Sequence, residues 1–546
     1  MSERARPIAL EWYNFPMLRQ INGGIRGKVL TDPASRDRYS LAECIYRIRP
    51  WGAVWPIDEE DVLETLDFCR REGLPITARG AGSAVAGQSL GTGVILDSSQ
   101  HMNRILEINA AERWARVQPG VVLKDLNRHL RATGLRFAPD PSSSEFCTLG
   151  GMIANNAGGP RSVRYGPTRD HVISLKAATA AGEVVTTRFV GLEELHDAAR
   201  GGTVHRIAGS LFDRIAPRRE EIRAVTPVVR RCASGYELLR SVRPEGVDLS
   251  QLLVGSEGTL AIILEATLRL TPLAPSTATA LLHFRDLESM GQGVLRALEH
   301  RPSALEALDR SFLDLVRSAG DSEAGALPAT TEAVLIVELE AEGDSEAKAK
   351  LERLAADLVA PALAAGILPG LDPAARARLW EIRKAASPIL TARQKNLRST
   401  RFIEDACVPT PHLPEFLREI RRILAVHQLP AAIFGHAGDA ILHVNPFLDP
   451  LDGDVALKME RIAGEVADLV LGLGGALSGE HGDGRLRTPA LRRAFGSVAD
   501  LFQAVKQAWD PEGLLNPGIK IHDGRSRMTD CLDLGPRAAR AAASPD

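Results

Sequence analysis

Apolar and polar positions alternate along this chain in two rhythms. In the first half, the acids Asp58–Asp61 precede an apolar stripe of Val62, Leu66 and Cys69. That spacing predicts a helix whose first turn is stabilised by negative charge at the positive end of its dipole. Pro75–Ala78, Val94–Asp97 and Trp114–Gln118 read as strands, Val121–Thr133 as a helix, and Ala261–Leu270 as a longer strand. Between Gly191 and about Val247 the pattern is charge-rich and helical. Thr271–Pro275 is the strongest break. Beyond it, strands at Thr277–Phe284, Ala333–Leu339, Ala431–Phe434 and Leu442–Asn445 alternate with helices at Asp344–Ala365, His412–His427 and Asp454–Gly472. This order predicts an antiparallel sheet layered with helices. The opening residues, with Trp12 and Arg36–Tyr39, read as a lead-in packed on the first domain, and the Ala-rich Pro536–Asp546 as a disordered tail.

Composition narrows the picture without deciding it. A chain of 546 residues exceeds one ordinary core, so two or three domains are expected. It is 45% hydrophobic and 25% charged, the balance of a soluble globular protein. A net charge of -3 gives no electrostatic reason to expect nucleic acid. No apolar run approaches the roughly 20 residues of a membrane span, and the start lacks the apolar core of a signal peptide. A cytoplasmic setting is expected, with peripheral attachment to a membrane still compatible. The 6 cysteines are scattered without a CxxC, which argues against a disulfide framework and against a bound iron–sulfur cluster.

Two pairs of segments carry candidate chemistry. Gly80–Gln88 follows a strand, and its small residues let backbone N–H groups approach phosphate oxygens. The spacing is not the Rossmann fingerprint. Pro139–Ser143 and Thr148–Gly159 repeat the small-residue logic further on. Two such loops suggest a cofactor with two ends and a diphosphate, which FAD satisfies. The second pair is His436–His443 and Gly479–Gly484. With a tight turn at Gly438–Ile441, symmetric hairpin pairing places His436 opposite His443, about 4.5–5.5 Å apart between Cβ atoms. Asn445 shares that face and can hydrogen-bond substrate. Glu480 completes a His-His-carboxylate site suited to Zn²⁺, and also to Mn²⁺ or Co²⁺. His481, beside Glu480 and between glycines, is free to act as a base, expected neutral near pH 7. Such a site should lie between the two domains.

These motifs carry a resemblance. Arg79–Gln88, Thr148–Gly151, Asn155–Gly158, Arg164–Gly166, Gly255–Leu260 and Asn516–Gly518 occur in the order seen in FAD-linked 2-hydroxyacid oxidoreductases. The chain is similar to D-2-hydroxyglutarate and D-lactate dehydrogenases, and most like the flavin part of large bacterial flavoproteins with a following iron–sulfur domain. The resemblance implies an α+β fold. Its parts are a two-subdomain FAD-binding domain of the vanillyl-alcohol-oxidase type, a ferredoxin-like antiparallel-sheet substrate domain and a C-terminal helical cap. The expected division is 1–45 lead-in, 46–272 FAD-binding domain, 273–480 substrate and metal domain, 481–522 segment returning to the flavin, and 523–546 tail.

It also implies residue roles. Arg79, Gly80, Ala81, Gly82, Ser83, Gly87 and Gln88 would wrap the pyrophosphate. Thr148, Gly150, Gly151, Asn155, Asn156 and Gly158, with Pro139, Asp140 and Ser143, would line the ribityl chain and isoalloxazine. Glu257, Thr259 and Ile262 would face the adenine side, and Asn516 would return to the flavin. Without a histidine in the first loop, the FAD should be noncovalent. The family assigns His436, His443 and Glu480 as ligands and His481 as base. Its usual Gly-Asp-Gly-Asn-Leu-His is here Gly438-Asp-Ala440-Ile441-Leu-His443, so a turn glycine and a polar side chain are replaced. Relatives place a carboxylate-binding arginine in a Trp-x-x-Arg segment like that ending at Arg383; Lys395 and Arg401 are candidates for a distal carboxylate. The implied function is oxidation of a small D-2-hydroxy acid, D-2-hydroxyglutarate or D-lactate, to its 2-oxo acid. Electrons would pass to an electron-transfer flavoprotein, a quinone or an iron–sulfur protein, and a homodimer fits the expectation. The alternative is a flavoprotein electron-transfer subunit of a larger complex with an iron–sulfur partner.

Overall fold

A computed structural model of the chain describes residues 24–195, 197, 201–318, 322–325, 327–384 and 397–535. Trp12, Lys395 and the tail Pro536–Asp546 lie outside the described residues.

The apolar run Val94–Asp97 becomes an inner strand of a four-stranded sheet ordered Lys28–Leu30, Gly52–Trp55, Val94–Asp97, Ile76–Arg79. The last three strands are parallel. Parallel strands are covered on both faces, so Val94, Ile95 and Leu96 are all buried. The helix Glu59–Arg71 makes the crossover, and Asp58 caps it by accepting from the Asp61 N–H at 3.2 Å. Lys28–Leu30, within the stretch read as lead-in, pairs antiparallel with Gly52–Trp55. Ile76–Arg79 ends in the loop Gly80–Gly87, the carboxyl end of a parallel strand where ligands of such sheets collect.

A five-stranded antiparallel sheet follows, ordered Ile105–Asn109, Trp114–Val117, Ala261–Arg269, Val172–Thr179, Val184–Thr186. The stretch read as helical holds Thr203–Ile215 and Arg219–Val225. It is flanked by short strands, Phe189–Gly191, Val242–Arg243 and Gly246–Asp248, which form a small sheet of their own.

The second half is an eight-stranded sheet whose pairings are all antiparallel: Gly366–Gly370, Ser276–Phe284, Ala333–Ala341, Ala304–Asp309, Ala431–Gly435, Ile441–Leu448 and Arg398–Ser399, with Ala406–Cys407 also on Ile441–Leu448. In Ala333–Ala341, Leu335, Val337 and Leu339 join the core under the helices Leu287–Leu298, Asp344–Leu358 and Leu413–Val426. Val334 and Ile336 face the other way, onto Phe312, Leu379 and Phe434. Cover on both faces explains the unbroken apolar run, and each such side chain contributes about 1.5–3 kcal/mol by leaving water. The helix expected to reach Ala365 stops at Leu358, because Pro361 cannot continue it, and the chain returns as the edge strand Gly366–Gly370.

Charged pairs and the C-terminal segment close the halves on one another. Arg161 grips Glu338 in bidentate fashion, Nε to Oε1 at 2.9 Å and Nη2 to Oε2 at 2.8 Å, and Arg136 holds Glu340 at 3.0 Å. The helix Ala499–Trp509 packs Leu501, Phe502 and Val505 on the first half's Ile207 and Leu211. Leu514 then accepts from the Ile76 N–H at 3.0 Å, which returns the chain to the first sheet. Among the described residues, no helix is long and apolar enough to cross a membrane.

Candidate active site

A cavity of about 740 Å³ lies between the two halves. One wall comes from the small-residue loops and the other from the hairpin Ala431–Leu448 and the Gly479–Gly484 loop. Gly80 and Thr148 touch so closely that a Cβ on Gly80 would sit 2.0 Å from Thr148 Oγ1. The two loops therefore meet only because one carries no side chain there. Thr148 also caps the helix Leu149–Asn155. On this wall Ser89 Oγ and Gln88 Oε1 are buried without a hydrogen-bond partner. Buried polar atoms are rarely left so, and a long polar ligand across the wall would satisfy them. The wall fits FAD on these grounds. Cys147 also lines it, but burial pushes its thiol up to about 11, so it stays a weak nucleophile.

Of the residues expected to hold the cofactor, Arg79, Gly80, Ala81, Gly82, Ser83, Gln88, Ser143, Thr148, Gly150, Gly151, Asn155, Gly158, Glu257 and Ile262 line the cavity. The rest stand behind it. Asp140 accepts from Arg161 at 2.7 Å, and Thr259 pairs with the Tyr236 hydroxyl at 2.7 Å. Asn156 caps its helix in the left-handed region at φ 53° and accepts from the Arg169 N–H. Gly87 packs on the Tyr46 ring, and Pro139 is likewise off the wall. Asn516 donates to the carbonyls of Gln88 and Glu257, 2.8 Å each, and so clamps two loops rather than facing a ligand. Glu257 lines the cavity, while its carboxylate is fully buried. Its carboxylate turns from the cavity to accept from the N–H groups of Asp483 and Gly484, at 2.7 and 2.8 Å, and pairs with the buried Lys520 at 3.0 Å. A buried carboxylate needs such donors.

On the facing wall the hairpin does not pair as expected. Phe434, not His436, lies opposite His443, and Ile433 opposes Val444. The connection is longer than a tight turn: Gly435 at φ 154° lets the chain leave the strand, Ala437–Asp439 form a 3₁₀ turn, and Ala440 closes it at φ 54°. Ala440 thus occupies a left-handed position that suits the glycine it replaces. His436 folds back beside His443 all the same, with ring centroids 5.3 Å apart and nearly perpendicular.

Glu480 Oε1 is the meeting point of three imidazoles. It lies 3.0 Å from His436 Nε2, 3.3 Å from His443 Nε2 and 3.5 Å from His481 Nε2. Each ring is aimed from behind. His436 Nδ1 contacts Glu306 Oε1 at 2.7 Å, His443 Nδ1 the Glu404 carbonyl at 2.8 Å, and His481 Nδ1 Glu404 Oε2 at 2.5 Å. Carboxylate and carbonyl oxygens only accept, so each Nδ1 carries a proton and each ring turns its Nε2 toward Glu480. His436, His443 and Glu480 present donor atoms all within 4.8 Å of one another, a set that fits one divalent cation.

Sequence reasoning missed much of the support. Arg231 is buried and joins Glu480 Oε2, with its other nitrogen 3.4 Å from Asp439. Arg487 holds Glu404 Oε1 at 2.5 Å. Asp405 accepts from Ser478 Oγ at 2.5 Å and from the N–H groups of Glu480 and His481 at 3.2 and 2.8 Å, fixing the loop between the glycines. Arg231 lies in Val228–Tyr236, where only the paired arginines beside small residues hinted at it. Glu306 lies in Ala304–Asp309, whose residues favour a helix while sheet pairing makes it a strand.

Burial opposes charge on these groups, and their partners overrule it. For His436, burial is outweighed by Glu306 and Glu480, which raise it to about 9. For His481, burial is outweighed by Glu404 and Asp405, again to about 9. For Glu480, burial loses to His436 and Arg231, which hold it well below the carboxylate range. These carboxylates favour the charged form of His481, and a cation on Glu480 would oppose them.

Arg383 and Asn445 also line the cavity, with Arg401. Asn445 donates to the His443 carbonyl at 3.1 Å, on the face expected. Arg383 donates through Nε to Glu306 Oε2 at 2.7 Å, and its guanidinium carbon lies 4.9 Å from the Phe434 ring centroid.

Known proteins share this layout. A family model described as FAD binding domain matches residues 50–188, and one described as FAD linked oxidases, C-terminal domain, matches 273–519. D-2-hydroxyglutarate dehydrogenases of Pseudomonas putida and Escherichia coli are 33% and 34% identical, over 91% of this chain and 51% and 50% of theirs. The chain thus spans about half the length of these relatives. Glycolate oxidase subunit GlcD of Bacillus subtilis is 30% identical over 88% of this chain and 92% of its own length. Among solved structures, an alkyldihydroxyacetonephosphate synthase superposes with a TM-score of 0.62 at 15% identity, covering 94% of this chain and 86% of that one. 4-Ethylphenol oxidase from Gulosibacter chungangensis gives 0.65 at 16%, covering 92% and 96%. These two show the fold alone, and it is the vanillyl-alcohol-oxidase type.

Proposed function

Since this chain belongs to the family of FAD-linked oxidases, we propose that it oxidises a D-2-hydroxy acid to the 2-oxo acid, with noncovalent FAD and one divalent metal ion. One observation carries the reading: three imidazole Nε2 atoms converge on Glu480 Oε1, within 3.0–3.5 Å, at the wall facing the small-residue loops. His436, His443 and Glu480 would hold the ion, Zn²⁺ or else Mn²⁺ or Co²⁺, which lowers the pKa of a bound hydroxyl. FAD, held by Gly80–Ser83 and Thr148–Gly151, supplies a two-electron acceptor when bound. His481 takes the hydroxyl proton at Nε2, with Glu404 fixing its ring through Nδ1. A cation held by Glu480 would oppose the carboxylates that raise His481 and favour the neutral ring that a base requires. Arg383 grips the substrate carboxylate and Asn445 orients the substrate beside His443. The division between the halves at 272/273 belongs to the same reading, supported by the start of the second family match at 273.

The substrate class comes next. Arg401 lines the cavity and, among the described residues, no acidic group pairs with it. Beside Arg383 it offers a second cationic contact, which favours a diacid, and relatives are named D-2-hydroxyglutarate dehydrogenases. Anaerobic mixing should show D-2-hydroxyglutarate bleaching the flavin with a higher kcat/KM than D-lactate. A clear preference for D-lactate would refute the diacid. No bleaching by any D-2-hydroxy acid would refute the reading itself.

Noncovalent attachment has its own test. Residues Gly80–Gln88 contain no histidine or cysteine, and the thiol of Cys147 is held unreactive. Acid precipitation should release the yellow colour to the supernatant; colour in the pellet would contradict this. A second reading, in which electrons leave through a partner subunit, is supported by the relatives named as glycolate oxidase subunits.

A further inference from the structure

We infer that Glu306 is the positioning residue that holds the metal-facing imidazole of His436 and the substrate-facing guanidinium of Arg383 at one fixed separation. The inference rests on the functional reading above and adds a residue to it. Glu306 sits mid-strand in Ala304–Asp309, paired with Ile336 on one side, and its side chain is fully buried. Its oxygens are divided: Oε1 takes His436 Nδ1 and Oε2 takes Arg383 Nε, both at 2.7 Å. The partners come from different elements, a 3₁₀ turn after one strand and the helix Pro373–Lys384. One rigid carboxylate in the sheet is what the turn and the helix share.

This arrangement matters for both ends of a substrate. The Nδ1 contact to Glu306 turns His436 Nε2 to Glu480 and the ion site. Using Nε for Glu306 leaves the two Nη groups of Arg383, for which, among the described residues, no protein acceptor is found. Those groups form a fork for a carboxylate. A 2-hydroxy acid carries its hydroxyl and carboxylate on adjacent carbons, so the ion and the fork must stay at a set spacing. Phe434 beneath Arg383 also lies 5.2 Å from the His443 ring, which limits sliding of the guanidinium. Glutamine at 306 would present one acceptor and one donor, and so could satisfy only one of two partners that both donate.

A double-mutant cycle tests this. Metal dissociation constants are measured by chelator competition for the FAD-loaded wild type, Glu306→Gln, Arg383→Met and the double variant. Glu306→Gln should bind Zn²⁺ or Mn²⁺ about 10–100-fold more weakly, as loss of an outer-shell partner does, while Arg383→Met should not. At saturating metal, Glu306→Gln should raise the KM for D-2-hydroxyglutarate at least about tenfold with a much smaller change in kcat. The double variant should match Arg383→Met within about threefold, because Glu306 acts on the substrate only through Arg383. Multiplying KM effects, or a Glu306→Gln protein with wild-type metal affinity and KM, would overturn the inference. If Glu306→Gln does not fold, Glu306→Asp replaces it. Its shorter carboxylate reaches one partner, so one defect should appear without the other, and a wild-type profile would overturn the proposal. A wild type that binds no divalent ion or oxidises no 2-hydroxy acid removes the functional reading as well. A wild type that does both, beside a normal Glu306→Gln, removes this inference alone.

Discussion

Replacing His481 with alanine should leave flavin and metal in place and slow flavin reduction by about 10²–10⁴-fold, the worth of a positioned proton transfer. Three contacts fix the residue in place. Glu404 holds its Nδ1 at 2.5 Å, its plane stacks 5.1 Å from His443, and the backbone N–H of residue 481 is tied to Asp405 at 2.8 Å. Removing the imidazole therefore takes away the base without loosening the loop. The defect should fall on kcat more than KM, because the proton moves in the transition state. Stopped-flow reduction with D-2-hydroxyglutarate, alongside metal and flavin analysis, decides the matter. Lost metal, or near-normal rates, would show that His481 is a ligand or a bystander.

His443→Ala should empty the metal site and abolish hydroxy-acid oxidation while flavin stays bound. His443 Nε2 supplies one of the three assigned donors, and its Nδ1 is held by the Glu404 carbonyl, so its removal leaves the ion two of the three ligands. The affinity loss should exceed the roughly 10–100-fold that removal of an outer-shell partner costs. Flavin should remain because its wall is built from the loops after Arg79 and Cys147. Elemental analysis of both proteins after dialysis gives the answer. Equal metal in the variant and the wild type would exclude the assigned ligand set.

What could be read in the sequence follows a physical line. Elements whose apolar rhythm is local, such as Glu59–Arg71 and Ser276–Phe284, fall close to where periodicity places them. The four residues of the meeting point were legible because glycines, histidines and an acid rarely crowd together for packing reasons. Their hairpin register was not, since a left-handed Gly435 and Ala440 added residues to the turn that the alternation pattern does not reveal. The buried partners were hidden for a different cause. Arg231 comes from a charge-rich stretch and Glu306 from a helix-like one, and both reach the site only through the fold. Glu257 was placed by family order, while its carboxylate answers to the two N–H groups and the lysine nearest to it. Motif order fixes which loop approaches a ligand; it does not say which way each side chain in the loop turns.

Gln88 gives these ties a wider meaning. Its amide nitrogen reaches both the Asn155 side chain, at 3.2 Å, and the His481 carbonyl, at 2.7 Å, so one side chain from the first loop touches the second loop and the residue that carries the base. Any drift of the first loop toward a bulkier or differently charged nucleotide would tug on His481. On the proposed roles, cofactor choice and proton handling in this chain are coupled through Gln88 rather than open to independent evolutionary change. A lineage altering one must retune the other within the same few substitutions, which narrows the routes by which this scaffold could acquire new chemistry.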